Sequence, residues 1–347
     1  MKRRPVRVGI THQGTILLGG YTVCDGFEFG VGGEVAVYTH AHQDHLKGFE
    51  SSILGCSWIL LTEATRDLLI AMKGDYLKLR KHIVSLDYGE EFTYKNETII
   101  LYPAGHMIGS AQVLVEKDGF NLFYTSDFIL ERTENVHADV VVIDATYGKP
   151  ELVRNYTRNE AIRALINVVE EGLSKGPVWI ASYLSKRYEV MRILIEHGIE
   201  VPFYITYRDF KMAPIYEKYL GYIGELRPVN NLSECLRLTN PCIIFCAARD
   251  LPMRNDTFKI RLTGWGTFNN PVRKLDEEYY VIGLSNHADF KDLLRFIAKC
   301  KPKLVIPDDH RSPGHGLSLA KAVVNRLNIP AIPMPLKEIP LSVIELY

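Results

Sequence analysis

The sequence predicts an α/β chain in which a β-rich sandwich is interrupted by an inserted α/β unit. Three observations predict this. The first segment, to about residue 148, reads mostly as short apolar strands. From about residue 157 to residue 247, strands alternate with helices, the pattern of a parallel sheet with crossovers. From about Glu278, short strands and helices return. The boundaries drawn on this pattern are 1–150, 151–274 and 275–347, with the outer two segments forming one domain.

In the first segment the expected strands are Thr15 to Leu18, Val35 to Tyr38, Trp58 to Leu61, Thr98 to Tyr102, Ala111 to Glu116, Asn121 to Tyr124 and Val140 to Ile143. Helices are expected near Leu46 to Ser52 and Glu63 to Met72. In the middle, Thr157 to Glu171 is amphipathic, with Ile162, Leu165, Ile166 and Val169 on one side. Val178 to Ser182 reads as a buried strand, and Tyr188 to His197 as a helix capped by Gly198. Val201 to Ile205 and Cys242 to Ala247 are further strands. The last segment holds Tyr279 to Leu284, the helix Lys291 to Lys299, the strand Leu304 to Pro307 and the helix Leu317 to Leu327.

At 347 residues, 47% hydrophobic and 24% charged, the chain is globular in composition and long enough for a sizeable core. No apolar run approaches the roughly 18 residues of a membrane span. The basic start Met1-Lys-Arg-Arg-Pro-Val-Arg7 is not followed by the apolar segment of a signal peptide. A soluble, cytoplasmic protein is expected. The formal net charge of zero leaves only local patches for an anionic partner. The six cysteines lie mostly in apolar segments without a Cys-x-x-Cys pair and read as reduced core residues. Only three glutamines, 13, 43 and 112, stand against many Lys, Arg and Glu, a weak sign of a heat-loving source.

His40-Ala-His42-Gln-Asp44-His45 places four metal-ligand types within six residues, in the loop that leaves the strand ending at Tyr38. Imidazole and carboxylate donors at this density suit zinc or a similar borderline cation. His40 and His42 can face one point while Asp44 and His45 face an adjacent one. Two cations close together clamp both oxygens of a displacement at phosphorus. The alternative, a polar loop with chance histidines, would need three of the 11 His within six positions.

This run resembles the signature of the metallo-β-lactamase fold. The resemblance implies an αββα sandwich, a lone ligand His some tens of residues later and a bridging Asp after that. Tyr102-Pro-Ala-Gly-His106 on a Gly-rich loop and Leu122-Phe-Tyr-Thr-Ser-Asp127 at a strand end match in order. The α/β insert resembles that of the β-CASP branch, whose members cleave nucleic acids. Val142-Ile-Asp144-Ala-Thr-Tyr147-Gly148 is similar to the branch's first extra motif. Leu284-Ser-Asn-His287-Ala-Asp289 is similar to its second, which carries a catalytic histidine. Ala181-Ser-Tyr-Leu-Ser-Lys186-Arg187-Tyr-Glu189 resembles a strand-to-helix turn that usually reads Gly-Arg-x-Gln-Glu. That makes Lys186 and Arg187 candidate phosphate contacts, with a solvated pair as the alternative. Ser110, beside His106, is a further substrate-binding candidate.

The expected chemistry follows. His40, His42, Asp44, His45, His106 and Asp127 hold two divalent ions, zinc first and manganese second. His287 protonates the leaving oxygen, and Asp144 orients its ring and keeps it charged. After Pro307 the branch has a third motif in which RNA-cleaving members carry a ligand His and DNA-cleaving members a Val. Asp308-Asp309-His310 stands there, with His310 favoured as a seventh ligand and Asp309 as its rival.

The substrate expected is single-stranded DNA or RNA. Asp44-His45-Leu-Lys-Gly48 resembles Artemis-like proteins, and Leu262-Thr-Gly-Trp265-Gly resembles ligase-associated exonucleases. Gly109-Ser110-Ala111 and a histidine in the third motif resemble the RNA 3′-end-processing branch and ribonuclease J. The balance leans to a DNA-repair exonuclease, acting alone or in a repair or processing complex. Tyr183, Tyr207, Trp265 and Phe268 are candidates for base stacking, but each is assigned to the core. Two other classes stay open. A small-molecule hydrolase on the same metals is disfavoured by the insert, and a silent partner subunit by the intact ligand set.

Overall fold

The computed structural model describes residues 4–134, 136–336 and 343–346. Met1 to Arg3 of the basic N-terminal stretch lie outside the described residues. The chain divides into two compact units, residues 1–153 with 286–347, and residues 154–285.

The first unit carries two sheets. One runs in the order Val343–Leu346, Val6–Ile10, Ile16–Leu18, Thr22–Cys24, Val35–Val37, Trp58–Leu61, Ile83–Ser85. The other runs Leu304–Pro307, Val140–Ile143, Phe120–Tyr124, Ala111–Lys117, Glu97–Pro103, Glu91–Tyr94. Side chains alternate across a strand, so neighbouring residues join different cores. Val113, Val115, Leu101 and Val142 meet Val35, Val37 and Leu60 between the two sheets. Leu114, Ile100 and Val141 instead meet Leu293, Phe296 and Ile297 of the helix Phe290–Cys300 and Val323 of the helix His315–Leu327. On the first sheet, Phe49 of the helix Phe49–Gly55 packs edge-on against Tyr38 at 4.9 Å. The helix Glu63–Lys73 buries Leu68 and Leu69. Strands parallel to one another carry their carboxyl ends to one border of each sheet, and the candidate ligands sit there.

The second unit is one sheet ordered Leu226–Val229, Phe203–Thr206, Ile243–Cys246, Val178–Ala181, Phe258–Thr263, Tyr279–Gly283, Val272–Asp276. All neighbouring pairs are parallel except the last. Its first helix, Arg158–Lys175, starts in a capping box formed by Thr157 and Glu160. The strand Tyr279–Gly283, expected with the final segment, pairs in parallel with Phe258–Thr263, and the compact unit ends after Ser285. A lone apolar strand reads the same whichever sheet it joins.

Candidate metal centre

The strand Val35–Val37 is fully buried, and the next residues are pinned at once. Thr39 donates its N–H to Asp25 Oδ1 at 2.8 Å and its hydroxyl to Asp25 Oδ2 at 2.7 Å. A 3-10 turn over Gln43–His45 then folds the His45 ring back against His40, centroids 4.1 Å apart. His106 is delivered by the loop after Glu97–Pro103. Gly105 adopts φ +71°, and a Cβ there would lie 2.3 Å from the Cβ of Arg132, so the tight approach requires glycine. Ser110 Oγ accepts from the N–H groups of His106 and Met107 at 3.0 and 3.1 Å, closing the loop. Asp127 follows Ser126, a non-glycine residue held at φ +51° beside the Thr39 hydroxyl.

Asp127 Oδ2 is the hub. It lies 3.4 Å from His45 Nε2, 3.6 Å from His106 Nε2, 3.7 Å from His40 Nε2 and 4.0 Å from His287 Nε2. His40, His42, His106 and Asp127 each bring a ligand atom to within 4.8 Å of the others. Partners on the far ring nitrogens set the tautomers. His106 Nδ1 faces the Asn286 carbonyl at 2.8 Å, and His45 Nδ1 faces Asp25 Oδ2 at 2.7 Å. Donation through Nδ1 leaves the His106 Nε2 lone pair aimed at the centre, and a cation binding at His45 would displace the proton from its Nε2.

Burial drives His40 and His106 well below the ordinary histidine range and His42 down to about 4, so these rings are neutral at pH 7. Burial also opposes charge on His45, but Asp127 and Asp25 outweigh it and raise that group to about 10. Burial alone would raise Asp127, yet His45 above all, and then His287, hold its carboxyl well below the usual range. Among the described residues the buried Nε2 atoms of His40 and His45 make no hydrogen bond. Orphaned buried nitrogens are costly, and neutral imidazoles with a carboxylate are the donor set of divalent metal sites. The residues therefore fit divalent cations.

His287 stands at the border of this cluster. Its Nδ1 lies 3.1 Å from Asp144 Oδ2, while Asp144 Oδ1 accepts both the N–H and the hydroxyl of Thr146 at 2.7 Å. The carboxylate is thus clamped on one oxygen and offers the other to the ring. Asp127, Asp144 and His287 also form a ligand-spaced group.

Three expectations meet a different geometry. His310 stands outside the ligand-spaced groups found among the described residues; its ring packs on Gly14, whose Cβ would fall 2.4 Å from it. Asp309 turns away too, its Oδ1 accepting the N–H groups of Gly314 and Leu317 at 2.8 and 3.1 Å. The motif instead sends Arg311 inward, to Asp308 Oδ2 at 2.7 Å and to the carbonyls of Gly14 and Asp25 at 3.1 Å. Lys186 and Arg187 are buried rather than offered to phosphate. Lys186 Nζ donates to the Leu284 carbonyl at 2.7 Å, and Arg187 pairs with buried Asp209 and bonds the Ser182 carbonyl. Ser110 is 1% exposed and is committed to the His106 loop. Asp44 is brought in, its carboxylate 3.6 Å from His45 Nε2 although largely exposed.

The sequence reading missed Asp25. Its Oδ2 also accepts from Tyr124 OH at 3.0 Å, so one buried carboxylate orders Thr39, His45 and Tyr124. The only signal was an Asp at the end of a short apolar strand. All six cysteines are free thiols, five of them buried.

No family model matches the chain. A protein of Acidianus ambivalens described as "Uncharacterized protein in lig 3'region" is 34% identical over 139 residues, 39% of this chain and 99% of that one. A "Probable DNA ligase" of Opitutus terrae is 25% identical over 285 residues, 77% of this chain but only 26% of the ligase. An "RNase J-like protein" of Methanocaldococcus jannaschii is 25% identical over 368 residues, 86% of each chain. A crystal structure of a protein of unknown function from Enterococcus faecalis V583 shares the fold, with a TM-score of 0.63 over 99% of this chain at 12% identity. The mixed α/β architecture and its gathered histidines and carboxylates define the metallo-β-lactamase type of domain. The chain is similar to nucleases of the β-CASP branch of that fold family.

Proposed function

We propose that the protein is a metal-dependent nuclease that hydrolyses phosphodiester bonds of single-stranded nucleic acid, with DNA the favoured substrate. The observation that carries this reading is the convergence of His40, His42, His106 and Asp127, with His287 braced beside them by Asp144. His40, His42, His106 and Asp127 would hold one cation; Asp44, His45 and Asp127 would hold the other. Imidazole and carboxylate donors favour zinc, with manganese as the second choice. Such ions, when bound, activate water and neutralise charge developing on phosphate. The chain's own part is positional and acid–base. His287 donates an Nδ1–H hydrogen bond to the Asp144 carboxylate, which favours the charged ring and leaves the Nε2–H to pass its proton to the departing oxygen. Asp127 Oδ2 keeps the ligand rings turned to one point.

The favoured DNA reading draws support from the relatives whose descriptions place them in a lig region or call them a DNA ligase. His310 stands outside the ligand-spaced groups found among the described residues, which weakens one of the two features that argued for RNA. The RNase J-like relative, matched over 86% of both chains, supports RNA as the second reading. Among the described residues no helix is long and apolar enough to cross a membrane, and the reading includes a cytoplasmic place in a repair or processing complex.

The test is cleavage of matched single-stranded DNA and RNA oligonucleotides, labelled at either end, with zinc or manganese, wild type beside His287→Ala. DNA ladders, lost at least 100-fold in a variant that keeps its metal, are expected. RNA ladders alone move the protein to the second reading. Cleavage of neither sinks the nuclease assignment.

A further inference from the structure

The second unit exposes aromatic rings where its sheet should bind something. Tyr183 is 84% exposed, Tyr207 53% and Trp265 48%, although all three were assigned to the core from sequence. Each follows the carboxyl end of a parallel strand: Tyr183 after Val178–Ala181, Tyr207 after Phe203–Thr206, Trp265 after Phe258–Thr263. These strands end nearly level. Ala181 is in register with Cys246, and Tyr204 with Ile244. The strand order Phe203–Thr206, Ile243–Cys246, Val178–Ala181, Phe258–Thr263 spreads the rings over three strand spacings, about 14 Å.

The same border is where the sheet's connections diverge. The chain leaving Val178–Ala181 returns on one side, at Phe203–Thr206, and the chain leaving Ile243–Cys246 returns on the other, at Phe258–Thr263. Open parallel sheets bind ligands at such a divergence, beyond the carboxyl ends of the strands. Cations accompany the rings. Arg208 is exposed, Lys211 Nζ sits 5.2 Å over the Tyr207 ring, and exposed Arg249 follows the strand between Tyr207 and Tyr183. Beside Tyr207 lies a hollow of about 430 Å³ lined in part by Thr206, Asn230, Asn231 and Ser233, whose amides and hydroxyls can hydrogen-bond a base edge, and by the carboxylate of Asp250, an acceptor for a base amino group.

We infer that the carboxyl border of this sheet is a binding surface for single-stranded nucleic acid, on which Tyr183, Tyr207 and Trp265 stack successive bases while the interleaved Arg and Lys meet the phosphates. The inference rests on the nuclease reading for the identity of the occupant. Flat, exposed rings among cations fit unpaired bases, which offer a face to stack on, and not a duplex, whose bases are already stacked.

The experiment is fluorescence anisotropy of labelled single-stranded DNA, single-stranded RNA and duplex DNA with the full-length protein, with EDTA present to stop cleavage. Tyr183→Ala and Tyr207→Ala are compared with Tyr183→Phe and Tyr207→Phe. Both positions are exposed, so the fold should tolerate either change. Each alanine variant is expected to bind single strands at least five-fold more weakly, each phenylalanine variant within two-fold of wild type, and neither to alter duplex binding. The DNA and RNA arms show which strand the surface prefers. Alanine variants that bind like wild type overturn the inference, as do phenylalanine variants that lose as much as alanine, or a wild type that binds neither strand. The nuclease reading fails separately: a tyrosine-dependent affinity in a protein that, with metal, cleaves neither strand supports the surface and rejects the nuclease.

Discussion

Replacing Asp25 by Asn would test how far a residue outside the ligand set governs the metal centre. The carboxylate Oδ2 receives Thr39 Oγ1 at 2.7 Å, His45 Nδ1 at 2.7 Å and Tyr124 OH at 3.0 Å, and Oδ1 receives the Thr39 N–H at 2.8 Å. An amide keeping its oxygen at the Oδ1 position retains only the last of these. Its NH2 then faces three donors in a site with no solvent exposure. The two hydroxyls can rotate to accept, but the His45 N–H cannot. Buried hydrogen bonds left unmade cost about 1–3 kcal/mol each, so a total loss of about 2–4 kcal/mol is expected in metal-free protein. For a unit of this size that lowers Tm by about 5–15 °C. His45 escapes the clash by losing its Nδ1 proton and keeping the one on Nε2, the atom 3.4 Å from Asp127 Oδ2. The lone pair meant for metal is then blocked, and affinity should fall about 10- to 100-fold. Thermal unfolding without metal, together with a chelator competition titration, separates the two effects. Unchanged metal affinity in a folded Asp25→Asn protein would refute the claim that Asp25 sets the His45 tautomer.

Other consequences follow from burial and charge. Arg187→Ala should cost about 3–5 kcal/mol in urea unfolding, because Asp209 would be left buried and unpaired; weaker oligonucleotide binding at unchanged stability would return Arg187 to a phosphate-contacting role. Metal-free protein should lose stability as pH falls from about 6.5 toward 4. Burial keeps His40, His42 and His106 neutral in the folded state over that window while the unfolded chain takes up protons, so the unfolded state gains. His45 acts oppositely: raised to about 10, it contributes stability below 6.5 that is lost as pH rises toward 10. Unfolding titrations at pH 5, 7 and 9 check both signs, and a flat profile between 7 and 5 would contradict the neutral cluster.

The centre was legible where local sequence carries it. His40, His42 and His45 lie within one loop, and a ligand run that dense has few structural uses. His106, Asp127, Asp144 and His287 were singled out because each ends or follows an apolar strand in the order the resemblance implies, and the structure brings them near one another. What stayed hidden depends on partners distant in sequence. Asp25 looks ordinary until Thr39, His45 and Tyr124 converge on it. Lys186 and Arg187 read as exposed cations because nothing local shows the Leu284 carbonyl or Asp209. His310 was preferred over its neighbours on residue type alone, whereas the turn after Pro307 points Arg311 inward instead. Short strands such as Thr22–Cys24 and Ile83–Ser85 were missed because three residues show no periodicity. Tyr183, Tyr207 and Trp265 were assigned to the core, and only the ends of the strands reveal them as surface.

The central claim is that one carboxylate, Asp127, joins the ligand rings into a centre that cleaves nucleic acid. The direct measurement is metal content and oligonucleotide cleavage on the same preparations of wild type and Asp127→Ala. Two metals per chain with cleavage in the wild type, and loss of both metal and cleavage in a folded Asp127→Ala protein, are the predicted results. An Asp127→Ala protein that keeps two metals and cleaves like the wild type would contradict the account.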